Sequence, residues 1–217
     1  MKLKLYFPTK PYQVNQAWGI LNPIYFSLGF GKHNGVDYPL APDQELRWPQ
    51  DYRVVKKDFQ PQGAGHYVIG ISTKKWEIGG LECYDEITFM HLKEPAPWDV
   101  GVVANLGEIV GIPDNTGLST GPHTHERHRR CKSQNYLNDK NHLVDLADYN
   151  DPKGANGSYN HAPYLTGQFA EDIALPPPPL KASDQVALLA AKFEAEGKTI
   201  ASKQLYAVAA LLRVFGA

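Results

Sequence analysis

A chain of 217 residues with 42% apolar and 21% charged side chains can bury a substantial core without help from disulfides, so an ordinary globular protein is expected. Its formal charge of -1 excludes the strong basic footprint of nonspecific nucleic-acid binding. No stretch approaches the ~20 apolar residues of a membrane helix, so no membrane span is expected.

The N-terminal residues MKLKLYFPTKPYQVNQ meet Pro8 and Pro11 before any continuous apolar run and therefore lack a signal-peptide core. Composition does not decide whether the residues before Gln13 occupy a groove. As far as about Gly121 the chain is rich in Gly, Pro, Tyr and Val and breaks into short runs: Arg53 to Val55, His66 to Ile71 and Ile87 to Met90. These read as strands. Between them stand turn signals at Pro61 to Gly65, Gly79-Gly80 and Pro113 to Gly117, at the close spacing of an antiparallel sheet and with no helical period intervening.

Beyond residue 150 the composition shifts. Asn150 to Gly154 and Asn156 to Ser158 are linker-like, and the run Pro176 to Pro179 favours extended polyproline II. After it, Val186, Leu189, Ala190 and Phe193 fall at helical spacing, and Leu205, Val208, Ala209 and Leu212 repeat the pattern past Gly197. The expected fold is mainly β: a compact antiparallel β-sheet domain with a groove over 1–150, a Pro/Gly-rich linker over 151–181 and a short C-terminal α-helical hairpin over 182–217. A hairpin of that size buries its apolar faces on the main domain, on a second copy or on another partner. Cys83 and Cys131 are too few for a disulfide framework and too far apart for a metal knuckle, which leaves two buried thiols or one disulfide.

Chemistry concentrates in three places. In Gly31-Lys32-His33-Asn34-Gly35-Val36-Asp37, a turn at Gly35 leading into a strand lets imidazole and carboxylate converge on one ion, a donor pair suited to zinc. In Pro122-His123-Thr124-His125, strand alternation sets both histidines on one face, so that one can ligate while the other stands beside an open coordination position. The third is His91, at the end of the run Phe89-Met90-His91-Leu92. Three protein ligands leave a zinc ion open for catalysis, and two further histidines then serve proton transfer and charge stabilisation.

Taken together, Lys32 to Tyr38, His91-Leu92, Gly107 to Gly111 and Asn115 to His125, with Gln16 to Gly19 upstream, resemble the lysostaphin-like zinc metalloendopeptidases, whose signatures are HxxxD and a later HxH. The resemblance covers about residues 13–150. It implies zinc ligation by His33, Asp37 and His125, catalytic roles for His91 and His123, a compact antiparallel β fold with a groove, and peptide stems or cross-bridges of bacterial peptidoglycan as substrate. The sequence departs from the family after His125, where an aromatic residue and a glutamate are usual and Glu126-Arg127-His128 stand instead. Arg127 shares the strand face of His123 and His125. It either binds a substrate carboxylate or an internal acid, or belongs to a solvated basic strand end with Arg129, Arg130 and Lys132.

With no export signal visible, a phage or prophage product made in the cytoplasm is expected, released at lysis as an endolysin or carried on the virion. The competing reading is a noncatalytic cell-wall-binding or structural virion module, with the C-terminal hairpin serving self-association or virion contact.

Overall fold

The computed structural model describes residues 1–10, 13–21, 23, 31–39, 41, 43–136, 140–151 and 153–173. All belong to the first of the two units into which the chain divides, Met1–Ala174. The four-proline run and the helical hairpin expected over 182–217 lie outside the described residues.

Eleven strands follow one another: β1 (Leu5–Phe7), β2 (Val36–Pro39), β3 (Leu46–Arg47), β4 (Tyr52–Gln60), β5 (Gly65–Ser72), β6 (Trp76–Ile78), β7 (Leu81–Leu92), β8 (Val103–Ala104), β9 (Ile109–Gly111), β10 (His123–Cys131) and β11 (Leu165–Phe169). Among the described residues there is one α-helix, α1 (Leu146–Asn150). The mainly β, antiparallel architecture expected from the run of short apolar segments is therefore present. Seven strands form the main sheet in the order β2-β10-β7-β5-β4-β8, with β6 also pairing with β7, and every pairing in it is antiparallel.

The turn signals fall where sequence placed them. Pro61 to Ala64 joins β4 to β5, and Gly79-Gly80 closes the β6–β7 hairpin with φ of 60° and 79°. Two successive positive φ values suit a tight hairpin turn whose twist matches that of its strands.

The central strands are buried on both faces. One face of β5 and β7 presents Val68, Ile87 and Phe89 to Leu46, Trp48, Tyr52 and Val54, and these side chains make the larger apolar core. Burying a large apolar side chain contributes about 1.5–3 kcal/mol, so this layer fixes β5 and β7 firmly. The other face carries the groove. There the register sets His125 of β10 opposite Met90, Arg127 opposite Thr88 and Arg129 opposite Glu86, while the far side of β10 sets His125 opposite Asp37 of β2.

A smaller core gathers Leu3, Leu5, Trp76, Ile78 and Cys83, with Tyr159, Tyr164 and Leu165 packed against it. Here β1 pairs with β11 in parallel. The N-terminal residues Leu3 and Leu5 are thus spent on core packing and do not line the groove. Residues 153–173, linker-like in composition, are built into the same body, because the aromatic and aliphatic side chains scattered among their Gly and Asn residues find this second core. Cys83 and Cys131 are free, buried thiols; burial raises Cys83 to about 11 and Cys131 well above its ordinary value, which keeps both protonated and unreactive.

Candidate metal centre

His33, Asp37 and His125, far apart in sequence, meet at one end of the groove. Asp37 and His125 face each other across the β2–β10 ladder, at the spacing where cross-strand side chains touch. His33 is placed by the loop before β2: its backbone N–H donates to Ile20 and its carbonyl accepts from Gly19. The three donor atoms form a tight triangle. His125 Nδ1 is 2.9 Å from Asp37 Oδ1, His33 Nε2 is 3.2 Å from the same oxygen, and the two ring nitrogens are 3.1 Å apart.

Gly35 makes this closeness possible. A Cβ there would lie 2.4 Å from the Glu126 carbonyl oxygen and 2.5 Å from His125 Nε2, so only glycine lets the turn pass over the imidazole.

The donor set fits zinc. With bonds of about 2.0–2.1 Å, the edge of a tetrahedron is roughly 3.3 Å, close to the observed separations. Protonation agrees. His33 Nδ1–H donates to the Ala17 carbonyl at 2.9 Å, which leaves Nε2 with its lone pair facing the triangle. Burial, partly offset by Asp37, lowers His125 to about 4, so the ring is neutral and able to ligate. Burial would raise the Asp37 carboxyl, but the His125 and His33 rings beside it outweigh burial and hold the group well below the usual carboxylate range. Two imidazole nitrogens and one carboxylate oxygen would be three protein ligands to such an ion, the number that leaves room for a water in catalytic zinc sites.

His91 and His123 stand beside this centre, their ring centroids 4.7 Å apart. His123 Nδ1–H donates to the Gly121 carbonyl at 2.8 Å, which turns Nε2 toward Asp37 Oδ1, 3.9 Å away. His91 Nδ1–H donates to the Thr116 carbonyl at 2.7 Å, and burial lowers its pKa against that bond, so the ring is neutral. The His91 backbone has φ of 61°, unusual for a residue with a side chain. It is held there by His91 N–H to the Ala64 carbonyl and by Asp114 N–H to the His91 carbonyl, at 2.8 and 2.7 Å. Thr116 also donates its hydroxyl to Leu92 and accepts from the His66 N–H. The residues around Asn115-Thr116-Gly117 are thus the clamp that aims one catalytic candidate.

Every residue expected at the site lines one groove: His33, Asp37, His91, His123, His125 and Arg127. The solvated basic strand end does not form. Arg129 is buried on Glu86, to which Nε donates at 2.6 Å, and Arg130 pairs with Asp145 through two donors at 2.5 and 2.8 Å. Arg127 is half-buried and meets no carboxylate within ion-pair distance among the described residues.

Sequence reasoning missed the buried polar network on the opposite face of β10. There His128 Nδ1 lies 2.9 Å from Asp85 and Nε2 lies 2.7 Å from Glu126, while Tyr52 and Tyr159 donate their hydroxyls to Asp85. A second group joins Glu86, His142 and Arg129. Their contacts are pairwise and short, as in charge-assisted hydrogen bonds, so they are read as ion-paired struts for β7 and β10. The signal was available in Tyr84-Asp85-Glu86-Ile87, adjacent carboxylates inside an otherwise apolar strand.

Fold and groove together define a β-sheet protein in which two histidines and one aspartate are gathered where they could hold a metal ion. Its fold is that of the lysostaphin-like zinc peptidases: the chain superposes on lysostaphin of Staphylococcus simulans with a TM-score of 0.54 at 17% identity, over 83% of this chain and 63% of that one. A zinc-containing peptidase from Vibrio cholerae aligns with a TM-score of 0.49 at 16% identity, over 80% of this chain and 41% of that one. In sequence, the chain is 31% identical over 93 residues to a Haemophilus influenzae protein described as an uncharacterized metalloprotease; the match takes in 43% of this chain and 18% of the relative's length. No protein-family model matches the chain.

Proposed function

We propose that this protein is a zinc-dependent endopeptidase that hydrolyses peptide bonds in bacterial peptidoglycan stems or cross-bridges. The observation that carries the reading is the convergence of five groups in one groove: the triangle of His33, Asp37 and His125, with two further imidazoles, His91 and His123, at its open side. Bound there, zinc supplies Lewis acidity and lowers the pKa of a coordinated water toward about 7. The protein's own groups supply the rest. One of the two imidazoles accepts the proton of the attacking water at Nε2, and the other, when it carries protons on both ring nitrogens, donates from Nε2 to the oxygen that becomes negative as the carbonyl carbon turns tetrahedral. Their Nδ1–H bonds to the Thr116 and Gly121 carbonyls keep both Nε2 atoms in the groove throughout.

Nothing in this constellation suits glycan cleavage, which needs a placed pair of carboxylates. A lysis protein of phage or prophage origin, acting on the wall, is the biological setting we propose for this activity. The C-terminal segment 182–217 is proposed to mediate self-association or virion contact.

The deciding experiment pairs zinc analysis with release of new amino groups from purified peptidoglycan. Stoichiometric zinc, with cleavage reduced about 10²–10⁴-fold in His123→Ala, is the expected result. Bound zinc without cleavage of any wall type points instead to a noncatalytic cell-wall-binding or structural role, and a protein that takes up no zinc sinks the endopeptidase reading.

A further inference from the structure

Three arginines lie close together on β10, and only two of them are neutralised. Arg129 is committed to Glu86 and Arg130 to Asp145. Glu86 has no capacity left for a third cation, since its second oxygen lies 2.7 Å from His142 Nε2. Arg127 therefore faces the groove with one polar contact, from Nη2 to the Thr88 hydroxyl at 3.1 Å. Its Nε is buried and has no hydrogen-bond partner. A guanidinium has five N–H donors in a planar fork, and leaving them unmade in a half-buried place is costly unless a ligand completes them.

Position says what that ligand is attached to. Arg127 follows His125 by two residues on the same strand face, about 7 Å further along the groove and on the side away from His123. That step corresponds to about two residues of an extended peptide whose scissile carbonyl sits beside the metal ligands. The same groove is lined by Lys32, Asn34 and Asn156, and among the described residues lining it Asp37 is the one acid.

We propose that Arg127 is a substrate-binding residue that takes a peptide carboxylate in a forked pair, so that the enzyme selects peptides bearing a free carboxylate within about two residues of the bond it cuts. The proposal rests on the endopeptidase reading above. The carboxylate is either a side-chain group of an acidic or diamino acid residue or the terminus of the peptide, and the same guanidinium serves both.

The test uses a peptidoglycan stem tetrapeptide, its cross-linked dimer, and derivatives in which each carboxylate in turn is a carboxamide. Hydrolysis by the zinc-loaded protein is measured as kcat/KM, and binding to the His123→Ala protein by calorimetry. Amidation at one position is expected to lower kcat/KM and affinity about tenfold or more in the protein with Arg127 intact. The ratio of free to amidated substrate falls to within about twofold in Arg127→Gln and is intermediate in Arg127→Lys, where a point charge replaces the fork. Which derivative fails identifies side-chain or terminal carboxylate. Zinc content and thermal melting of each variant show that the site is still assembled, and the ratio is unaffected by a simple loss of folded protein. Cleavage of free and amidated forms at equal rates overturns the Arg127 assignment and leaves the endopeptidase standing. Absence of all cleavage with Arg127-dependent carboxylate binding does the reverse, and neither cleavage nor carboxylate-dependent binding overturns both.

Discussion

Replacing Gly35 with alanine adds one methyl group at the tightest point of the metal centre. Built on the existing backbone, that carbon would sit 2.4 Å from the Glu126 carbonyl oxygen and 2.5 Å from His125 Nε2. Ordinary contact requires about 1 Å more, and neither neighbour is the end of a flexible side chain. The first is strand backbone locked between β2 and β7, and the second belongs to a buried ligand ring. Relief must come from displacing the 33–37 turn or rotating His125, and either opens the triangle of donors. Overpacking of this kind costs about 1–3 kcal/mol of stability, a loss the fold can survive. The effect on the site is larger in proportion, because ligand displacement by about 1 Å is of the size that reduces catalysis about 10²-fold. Titration of the stripped variant with zinc against a competing chelator, together with peptidoglycan cleavage, measures it. The expected result is a folded protein with zinc affinity weakened at least about tenfold and cleavage down about 10²-fold. A Gly35→Ala protein with undiminished zinc affinity would refute the argument that the glycine is there to let the turn cross the imidazole.

Chelation of zinc should abolish cleavage and lower the melting temperature, and stoichiometric zinc should restore both; a ligand present at 1,000 times its Kd stabilises by about 4 kcal/mol, so the shift is readily seen by calorimetry. Stability should fall on both sides of neutrality. Burial opposes charge on His128, but Asp85 and Glu126 outweigh it and raise the imidazole to about 10, so its contribution is complete below about 6.5 and is lost as pH rises through 10, with a slope of up to about 1.4 kcal/mol per unit. Urea midpoints from pH 6 to 10 check this, and a His128→Gln protein should lack the alkaline decline. Burial likewise opposes ionisation of Glu86, yet Arg129 and His142 lower it to about 2, so this contribution is present above about 4.5 and disappears as pH falls toward 2. Phe89→Ala, in the larger core, should cost about 3–5 kcal/mol by denaturant titration while the groove side chains stay in place.

The meeting of His33, Asp37 and His125 was legible because their spacing carries their geometry. HxxxD preceding a strand and HxH within one put chemistry-bearing atoms on predictable faces, and the structure brings those residues to one groove. The β architecture was legible for a similar reason, since turn residues and short apolar runs mark hairpins locally. Longer-range pairing was not. The parallel match of β1 with β11 joins residues some 160 apart, and no local pattern announces it. The packing of residues 153–173 was hidden because Gly, Asn and Ser mark a linker only when no apolar residues among them find a core, and Tyr159, Tyr164 and Leu165 do. The struts Asp85, Glu86, His128 and His142 escaped notice because a buried charge is recognisable only through its partner, which lies on another strand.

β2 is only four residues long and closes one end of the main sheet, its outer side meeting Asn15 and Gln16 through backbone hydrogen bonds to Asp37. A short strand at the edge of a sheet has few ladder hydrogen bonds to hold it, and an edge that loosens invites pairing with foreign chains. Two of the three candidate ligands, His33 and Asp37, come from β2 and the turn before it, and the third from its neighbour β10. An ion held by them would therefore also be a rivet at the margin of the sheet. A protein stripped of it in dilute, chelator-rich surroundings would lose that seal, and the border of the groove would open to proteases or to self-association.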